Sequence, residues 1–375
     1  MSSPLIVEAL RTLARPGELT DAQADVAVAP LNGPEADTFI GLVMTHRLHG
    51  ALAEACRVAG RSVEGRVADR VDDDRLVRLR ASAVLDAAAE VLDDYDIPWL
   101  AFKGPVVASY LARPELRGFN DLDLLVARDR FGDAIDALVS IGGEELNRNW
   151  DPYVTHEVGE VPIEVGTVPI DLHWHVIGLA HTRAGMRFEP DAMLARRRRV
   201  MVGGRELPVF DPIDQLLHLC THAGLSGATR LDQLRDVAAL VHGGEIDWAA
   251  FVERSRHARV AGLVGHTLDR AAIAAGAPVD PVTLRDLAGS SLRWRRRVDG
   301  DGVTELRRSG VHWRRDDRRG AARVIARTVV AMMPALPGRR RGWDFSDPDS
   351  VLYHDRPSGG AARRREFLRM VEDRA

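Results

Sequence analysis

Lysine is almost missing from this sequence of 375 residues. Lys103 is the single lysine, and the other 50 basic side chains of the Lys and Arg total are arginines. We interpret the excess of arginine as a bias in codon usage, so arginine content by itself indicates no function. The one lysine that remains therefore draws attention to its surroundings, the segment "LAFKGPVVASY".

Cysteine and long apolar runs are also scarce. Cys56 and Cys220 are the only two cysteines, which excludes a disulfide framework, and Cys220 within "LLHLC" is typical of a buried thiol. The apolar stretch "VIARTVVAMMPALP" contains an arginine and is too short to span a bilayer. The first residues lack a basic segment followed by an apolar core, so we expect a cytoplasmic protein without a signal peptide or transmembrane segment.

Negative charge is concentrated in the first three quarters of the chain. Residues 291–375 carry 21 arginines and 12 acids, a balance of +9, so the total of −4 leaves −13 for residues 1–290. Trp294, Trp313 and Trp343 are interspersed among these arginines, a mixture that can serve single-stranded nucleic acid. The sequence predicts an Arg-rich C-terminal region, 291–375, that contacts an acidic partner.

The remaining chain divides by periodicity into three parts. Residues 1–95 and 211–290 have apolar residues at helical spacing, and residues 96–210 alternate between short strands and helices. We expect an α+β (mixed α/β) protein in which a small core sheet at 96–210 is flanked by helical segments. The predicted helix boundaries include an acidic N-cap cluster at residues 72–74 before Leu76 and Leu79, an N-cap at Asp129, and an N-cap at Asp211 before Pro212.

Two aspartates stand one residue apart in the predicted strand "DLDLLV". Alternate residues of a strand point to one face, so Asp121 and Asp123 project together, about 6.6 Å apart along the strand. Two neighbouring carboxylates repel each other unless a cation or a proton lies between them. Mg²⁺ prefers oxygen ligands and is often held by one or two carboxylates together with substrate phosphates. The alternative to a metal site is that both aspartates are solvated on an edge strand.

Further groups suited to phosphate and metal surround this pair in the sequence. Lys103 and Gly104 lie at a predicted strand-to-helix junction, where glycine permits close approach of the backbone and lysine offers a compact charge to phosphate oxygens. Arg117 is a second cation before the pair, and Asp171 begins "DLHWH" on a later predicted strand. These residues favour a nucleotide site over isolated surface acids.

The ordered motifs resemble those of the polymerase-β-like nucleotidyltransferase superfamily. More narrowly, "IPWLAFKGPVVASY", "RGFNDLDLLV" and "PIDLHWHV", followed by "LLHLCTHAG" and "RLDQLRDVAAL", are similar to a poorly characterised bacterial nucleotidyltransferase family over about residues 39–275. The usual Gly-Ser before the D-x-D is Lys-Gly here, so Lys103 or the backbone must replace the serine hydroxyl.

The resemblance implies a nucleotidyltransferase that moves a nucleoside monophosphate from an NTP, such as ATP, to an acceptor hydroxyl and releases pyrophosphate. It implies that Asp121, Asp123 and Asp171 are catalytic and hold two Mg²⁺ ions, with Mn²⁺ as the alternative. Lys103, Gly104 and Arg117 would bind phosphate. The acceptor stays open among a small molecule, a peptide or protein, and a tRNA. Two alternatives are a catalytically silent nucleotide-binding module that acts through partners and a toxin-like enzyme that modifies tRNA.

Several other polar residues are candidates for a supporting role. His173 and His175 share the face of Asp171 if that strand is regular; we expect His173 to support the site or contact the acceptor, with zinc binding as the alternative. His218 and His222 have helical i, i+4 spacing, which favours packing or lining of a cleft. The group that could recognise the acceptor or form interhelical ion pairs consists of Arg230, Asp232, Arg235 and Asp236.

Overall fold

The computed structural model describes residues 3–63, 65–147, 149–288 and 360–373. These residues form two compact units, each built from several segments of the chain. The helical unit comprises residues 3–79, 103–120 and 211–288, and the sheet unit comprises residues 80–102, 121–210 and 360–373. Residues 103–120, which the sequence assigns to the core, thus cluster with helices. Most of the Arg-rich C-terminal region lies outside the described residues.

The helical unit contains eleven of the described helices, the fifth of which continues into the sheet unit. In chain order they are α1 (Pro4–Leu13), α2 (Asp21–Val28), α3 (Ala36–Thr45), α4 (His49–Val58), α5 (Arg66–Asp94), α6 (Gly104–Ala108), α11 (Pro212–Leu225), α12 (Leu231–Gly243), α13 (Trp248–His257), α14 (Ala261–Ala275) and α15 (Pro281–Ala288). Short 3₁₀ turns occupy Ala29–Asn32 and Pro114–Leu116. No described helix has both the length and the hydrophobicity to cross a membrane.

Capping explains where several of these helices begin. The Asp211 side chain accepts a hydrogen bond from the Asp214 amide with Pro212 in the first turn, which confirms the predicted N-terminus of α11. The acidic cluster at 72–74 is not a cap, because α5 begins at Arg66 and carries the cluster inside. Leu76 and Leu79 are 51% and 70% exposed, so the predicted apolar face was wrong at these two positions.

The sheet unit contains seven described strands in one mixed sheet and five further helices. The strands are β1 (Trp99–Ala101), β2 (Leu122–Val126), β3 (Gly143–Glu145), β4 (Glu160–Val165), β5 (Val168–His173), β6 (Arg198–Val202) and β7 (Arg205–Val209). The helices are α7 (Phe131–Ser140), α8 (Trp150–His156), α9 (Ala180–Arg183), α10 (Pro190–Ala195) and α16 (Gly360–Glu372), with a 3₁₀ turn at Arg128–Arg130. Asp129 lies inside that turn, and Arg130 is the residue that precedes α7, so the predicted cap was wrong.

The sheet order is β3-β4-β5-β2-β1-β7-β6, and the β5–β2 and β1–β7 pairs are parallel while the others are antiparallel. Strand β2 lies in the middle of the order and is buried along its whole length, as its run of Leu and Val requires. A two-residue turn joins β4 to β5, with Gly166 at a φ of 65°, a conformation that favours glycine. The mixed sheet with flanking helices confirms the α+β fold class.

Helix α16 packs in the sheet unit through one aromatic anchor. Phe367 is fully buried, and its ring lies within 5.6–6.3 Å of the rings of Phe131, Trp150 and Tyr153. Arg364 forms an ion pair with Glu145, with 2.8 Å between Nη2 and Oε1. This arginine of the basic C-terminal region therefore neutralises an acid of its own chain.

Candidate active site

Two of the three predicted catalytic aspartates lie side by side in the sheet. Strands β2 and β5 are parallel, and their register pairs Asp123 directly with Asp171. Paired residues of adjacent strands point to the same face, so both carboxylates project from one side of the sheet, while Leu122 and Leu124 pack on the other. Asp123 is only 4% exposed. We call this side of the sheet the acidic face.

A histidine links the aspartates to an acid that the sequence analysis missed. His173 Nε2 is 3.1 Å from Asp123 Oδ1, a distance at which an imidazole N–H donates to the carboxylate. Its Nδ1 lies 3.0 Å from Glu160 Oε2, within ion-pair distance. Glu160 reaches this position because the β4–β5 register pairs it with His173. His173, predicted as a supporting residue, thus lies between two carboxylates of the acidic face.

The acidic face concentrates negative charge around Asp171. Burial, together with the neighbouring carboxylates of Glu160, Asp123 and Asp121, raises the pKa of Asp171 to about 8, against an opposing effect of His173. Asp123, Asp171 and His173 each offer a ligand atom within 4.8 Å of the others, close enough to converge on one cation. A carboxylate that is as hard to ionise as Asp171, with two further donor groups beside it, fits a divalent cation, because the cation supplies the missing positive charge.

Asp121 takes a different position from its partner in the D-x-D motif. Strand β2 starts at Leu122, so Asp121 directly precedes the strand and is half-buried. Its charge acts on Asp171, yet the converging donor set among the described residues consists of Asp123, Asp171 and His173. The metal role of Asp121 stays a prediction.

Aromatic residues and a second histidine surround the acidic face. Phe102 meets His173 edge to face, with the ring centroids 5.0 Å apart. His175 does not continue the face, because β5 ends at His173; its Nδ1 instead accepts a hydrogen bond from the Ile177 amide at 3.0 Å. Burial holds the pKa of His175 well below its usual range, with further lowering by Arg183 and Arg128. His175 therefore serves local structure, whereas His173 faces the aspartates.

The predicted phosphate-binding residues belong to the helical unit. Lys103 precedes α6 and is half-buried, and Gly104 has a φ of 46°, in the left-handed region that favours glycine. The backbone conformation at position 104 therefore explains the glycine, whether or not a ligand binds there. The phosphate contacts of Lys103 and Gly104 stay predictions.

Arg117 makes a bidentate salt bridge within the helical unit. Its Nε donates to Asp236 Oδ1 at 2.9 Å and its Nη2 donates to Asp236 Oδ2 at 2.8 Å. Its Nη1 also donates to the carbonyl oxygen of Gly104 at 3.2 Å. Arg117 thus connects α12 to the Lys103–Gly104 turn, and this positioning was not visible in the sequence. A phosphate contact by Arg117 stays a prediction.

The remaining candidates also lie in the helical unit. His222 stacks on His218 one turn earlier in α11, with 5.9 Å between the ring centroids. Arg230 precedes α12, and its Nε donates to Asp232 Oδ1 at 3.0 Å. The observed contact of His222 is therefore packing, and that of Arg230 is an ion pair. A role of either residue in binding the acceptor stays a prediction.

The fold and the acidic face define a class: an α+β protein with a buried carboxylate and histidine cluster suited to a divalent cation. A comparison with known protein families defines the class more narrowly. The model of a family described as uncharacterised nucleotidyltransferase matches residues 32–276, so the chain belongs to that family and is a nucleotidyltransferase. The family match agrees with the polymerase-β-like superfamily predicted from the motifs.

Two further comparisons add little. No curated protein sequence matches this chain. Among solved structures, the antibiotic-resistance factor ANT(2'')-Ia is similar at 14% identity, over 58% of this chain and 93% of that chain, with a TM-score of 0.30. At that score the likeness carries no weight for fold or function.

Proposed function

We propose that this nucleotidyltransferase is Mg²⁺-dependent and transfers a nucleoside monophosphate from an NTP to an acceptor hydroxyl. In that reaction the acceptor oxygen bonds to the α-phosphorus, the bond from the α-phosphorus to the bridging oxygen breaks, and pyrophosphate leaves. The observation that carries the proposal is the direct pairing of Asp123 with Asp171 on the acidic face.

Asp123 and Asp171 would hold the cation, with Asp121 at the start of β2 as the third acid. When bound, Mg²⁺ neutralises phosphate charge and orients the triphosphate for in-line displacement. Two ions and three acids are the arrangement that the superfamily resemblance implies. Asp171, which pairs with Asp123 on the acidic face, would accept the proton of the acceptor hydroxyl at a carboxylate oxygen.

His173, with Glu160 on its other side, would hold Asp123 in position. Because the imidazole contacts Asp123 on one side and Glu160 on the other, it fixes the rotation of the Asp123 carboxylate. Lys103 and the Gly104 amide would contact phosphate oxygens, and Arg117 would support them through the Gly104 carbonyl.

The test is pyrophosphate release with each of the four NTPs and Mg²⁺, with total RNA, peptides and hydroxyl compounds offered separately as acceptors. We expect Asp123→Asn and Asp171→Asn to reduce the rate by roughly 10³-fold or more, because each change removes a carboxylate that would hold the cation at the reacting phosphate. The matched control is Asp129→Asn, an exposed aspartate of the same unit. Full activity in either acidic-face variant contradicts the proposal, and NTP binding without pyrophosphate release under every acceptor favours a silent binding module.

A further inference from the structure

One donor of the acidic face is a ring nitrogen rather than an oxygen. His173 follows Asp171 by two residues within β5, so regular strand geometry puts both side chains on the same face of the sheet. The β2–β5 register pairs His173 with Leu125, two residues after Asp123. The side chain of His173 is 3% exposed. The strands themselves therefore place a buried imidazole beside both carboxylates.

The spacing of these donor atoms fits the ligands of one ion. His173 Nε2 lies 3.1 Å from Asp123 Oδ1. Two neighbouring ligand atoms at right angles on an ion with bonds of about 2.1 Å are about 3.0 Å apart. Asp123, Asp171 and His173 each have a donor atom within 4.8 Å of the other two. Small side-chain movements would therefore let the nitrogen share an ion with the carboxylates.

The other side of the ring has the surroundings that are common for a metal-bound histidine. Such a histidine usually has a carboxylate, a carbonyl or a water beside its second nitrogen, which orients the ring. Here Nδ1 of His173 lies 3.0 Å from Glu160 Oε2, because the β4–β5 register pairs the two residues. Phe102 packs edge to face against the ring, with 5.0 Å between the centroids. Glu160 and Phe102 together keep Nε2 directed at Asp123.

A histidine that only positions Asp123 would account for the same distances. In that role Nε2 carries a hydrogen and donates it to the carboxylate, so the identity of the cation does not matter. As a ligand, Nε2 is unprotonated and offers its lone pair to the ion. The two roles therefore differ in the cations that they favour, because an imidazole adds affinity for transition-metal ions, whereas Mg²⁺ is bound mainly by oxygen.

We propose that His173 Nε2 is a direct ligand of the cation and that the acidic face therefore binds Mn²⁺ more tightly than Mg²⁺. Mn²⁺ accepts carboxylate oxygens as Mg²⁺ does, and as a first-row transition-metal ion it also accepts an imidazole nitrogen. This preference rests on the proposed function only in that the acidic face must be the cation site. It adds to the aspartates a ligand of a different kind and chooses between the two ions.

The test is titration of the full chain with Mn²⁺ in the absence of nucleotide, followed by the EPR signal of the free ion, with Mg²⁺ added as a competitor. We expect Mn²⁺ to bind the wild type at least about tenfold more tightly than Mg²⁺. His173→Gln keeps an N–H that can donate to Asp123 but lacks the ring nitrogen. It should weaken Mn²⁺ binding at least about tenfold and Mg²⁺ binding by less than about threefold. The matched control His156→Gln, at a half-buried histidine of the same unit, should keep the wild-type affinities for both ions.

Pulsed EPR identifies the ligand directly. Mn²⁺ bound to the wild type should show the coupling of a directly bound ¹⁴N nucleus, which should change to ¹⁵N coupling in protein made with ¹⁵N-labelled histidine. The coupling should persist in His156→Gln and disappear in His173→Gln. Because the labelled wild type reports on the ligand by itself, the measurement decides even if the His173→Gln variant fails to fold.

Absence of histidine nitrogen coupling in the wild type, or equal losses of Mn²⁺ and Mg²⁺ affinity in His173→Gln, overturns the proposal. Equal losses would identify His173 as a residue that only positions Asp123. Neither result affects the proposed transfer reaction, which fails separately if Asp123→Asn retains full pyrophosphate release. Conversely, nitrogen-bound Mn²⁺ without turnover under any acceptor would support the ligand and contradict the proposed reaction.

Discussion

The contribution of Asp171 to the stability of the metal-free protein should fall as pH rises. The folded protein raises the pKa of Asp171 from an ordinary value of 3.8 to about 8, mainly through burial and the nearby carboxylates. Below pH 3.8 the carboxyl group is protonated in both the folded and the unfolded state, so it does not change the free energy of unfolding with pH. Between these two pKa values the unfolded chain loses the proton and the folded chain keeps it, so the free energy of unfolding decreases as pH rises.

The size of this decrease in the free energy of unfolding follows from the pKa shift of Asp171. Each pKa unit corresponds to about 1.4 kcal/mol, so the loss between pH 5 and pH 8 comes to about 3–4 kcal/mol and levels off above pH 8. Asp171→Asn cannot ionise and should lack this contribution. The variant should therefore resemble the wild type near pH 4 and become more stable than it by pH 8.

The assay is urea unfolding in EDTA at pH 5, 6, 7 and 8, followed by the fluorescence of buried tryptophans such as Trp174. Asp129→Asn serves as the control, since it removes an exposed aspartate from the same unit and should retain the wild-type pH dependence. If the stability difference between wild type and Asp171→Asn changes by less than about 1 kcal/mol from pH 5 to pH 8, the electrostatic description of the acidic face is wrong.

Three further predictions concern the cation and the two units. Binding of Mg²⁺ to the wild type should release about one proton at pH 7 and far less at pH 9, because Asp171 must ionise to bind; titration in buffers of different ionisation enthalpy measures this. Gly118→Ala should destabilise the helical unit by about 1–3 kcal/mol in urea unfolding, since its Cβ would lie 2.0 Å from Asp74 Oδ2, whereas Gly17→Ala meets nothing within 4 Å. Phe367→Ala should cost about 3–5 kcal/mol and raise hydrogen exchange throughout α16, because it empties the anchor of that helix.

Local rules explain which parts of the site were predictable from sequence. The period of two placed Asp171 and His173 on one face because both lie within the regular strand β5. The same rule put Asp121 beside Asp123, but Asp121 precedes the first residue of β2. The same rule failed for His175 because β5 ends two residues earlier. Glu160 could have been found: counting the register back from the two-residue turn at Gly166 places it opposite His173.

Contacts between distant segments had no such signal. Arg117 and Asp236 are 119 residues apart, and no periodicity in either segment indicates that they pair. The acidic cluster at 72–74 misled the prediction of α5 for a related reason, since Asp74 is engaged by His49 at 2.7 Å rather than by a helix N-terminus. Acidic residues near a helix predict a cap only when no tertiary partner claims them.

The contacts of His173 bear on how the acidic face tolerates its own charge. Its Nε2 lies 3.1 Å from Asp123 Oδ1 and its Nδ1 lies 3.0 Å from Glu160 Oε2, so the ring is within ion-pair distance of both acids. The ring lowers the pKa of Asp171, whereas burial and the carboxylates of Glu160, Asp123 and Asp121 raise it. A divalent cation at Asp123 and Asp171 would reduce the repulsion among the carboxylates and remove the need for a proton on Asp171. We therefore expect a metal ion that binds at the acidic face to displace the proton of Asp171.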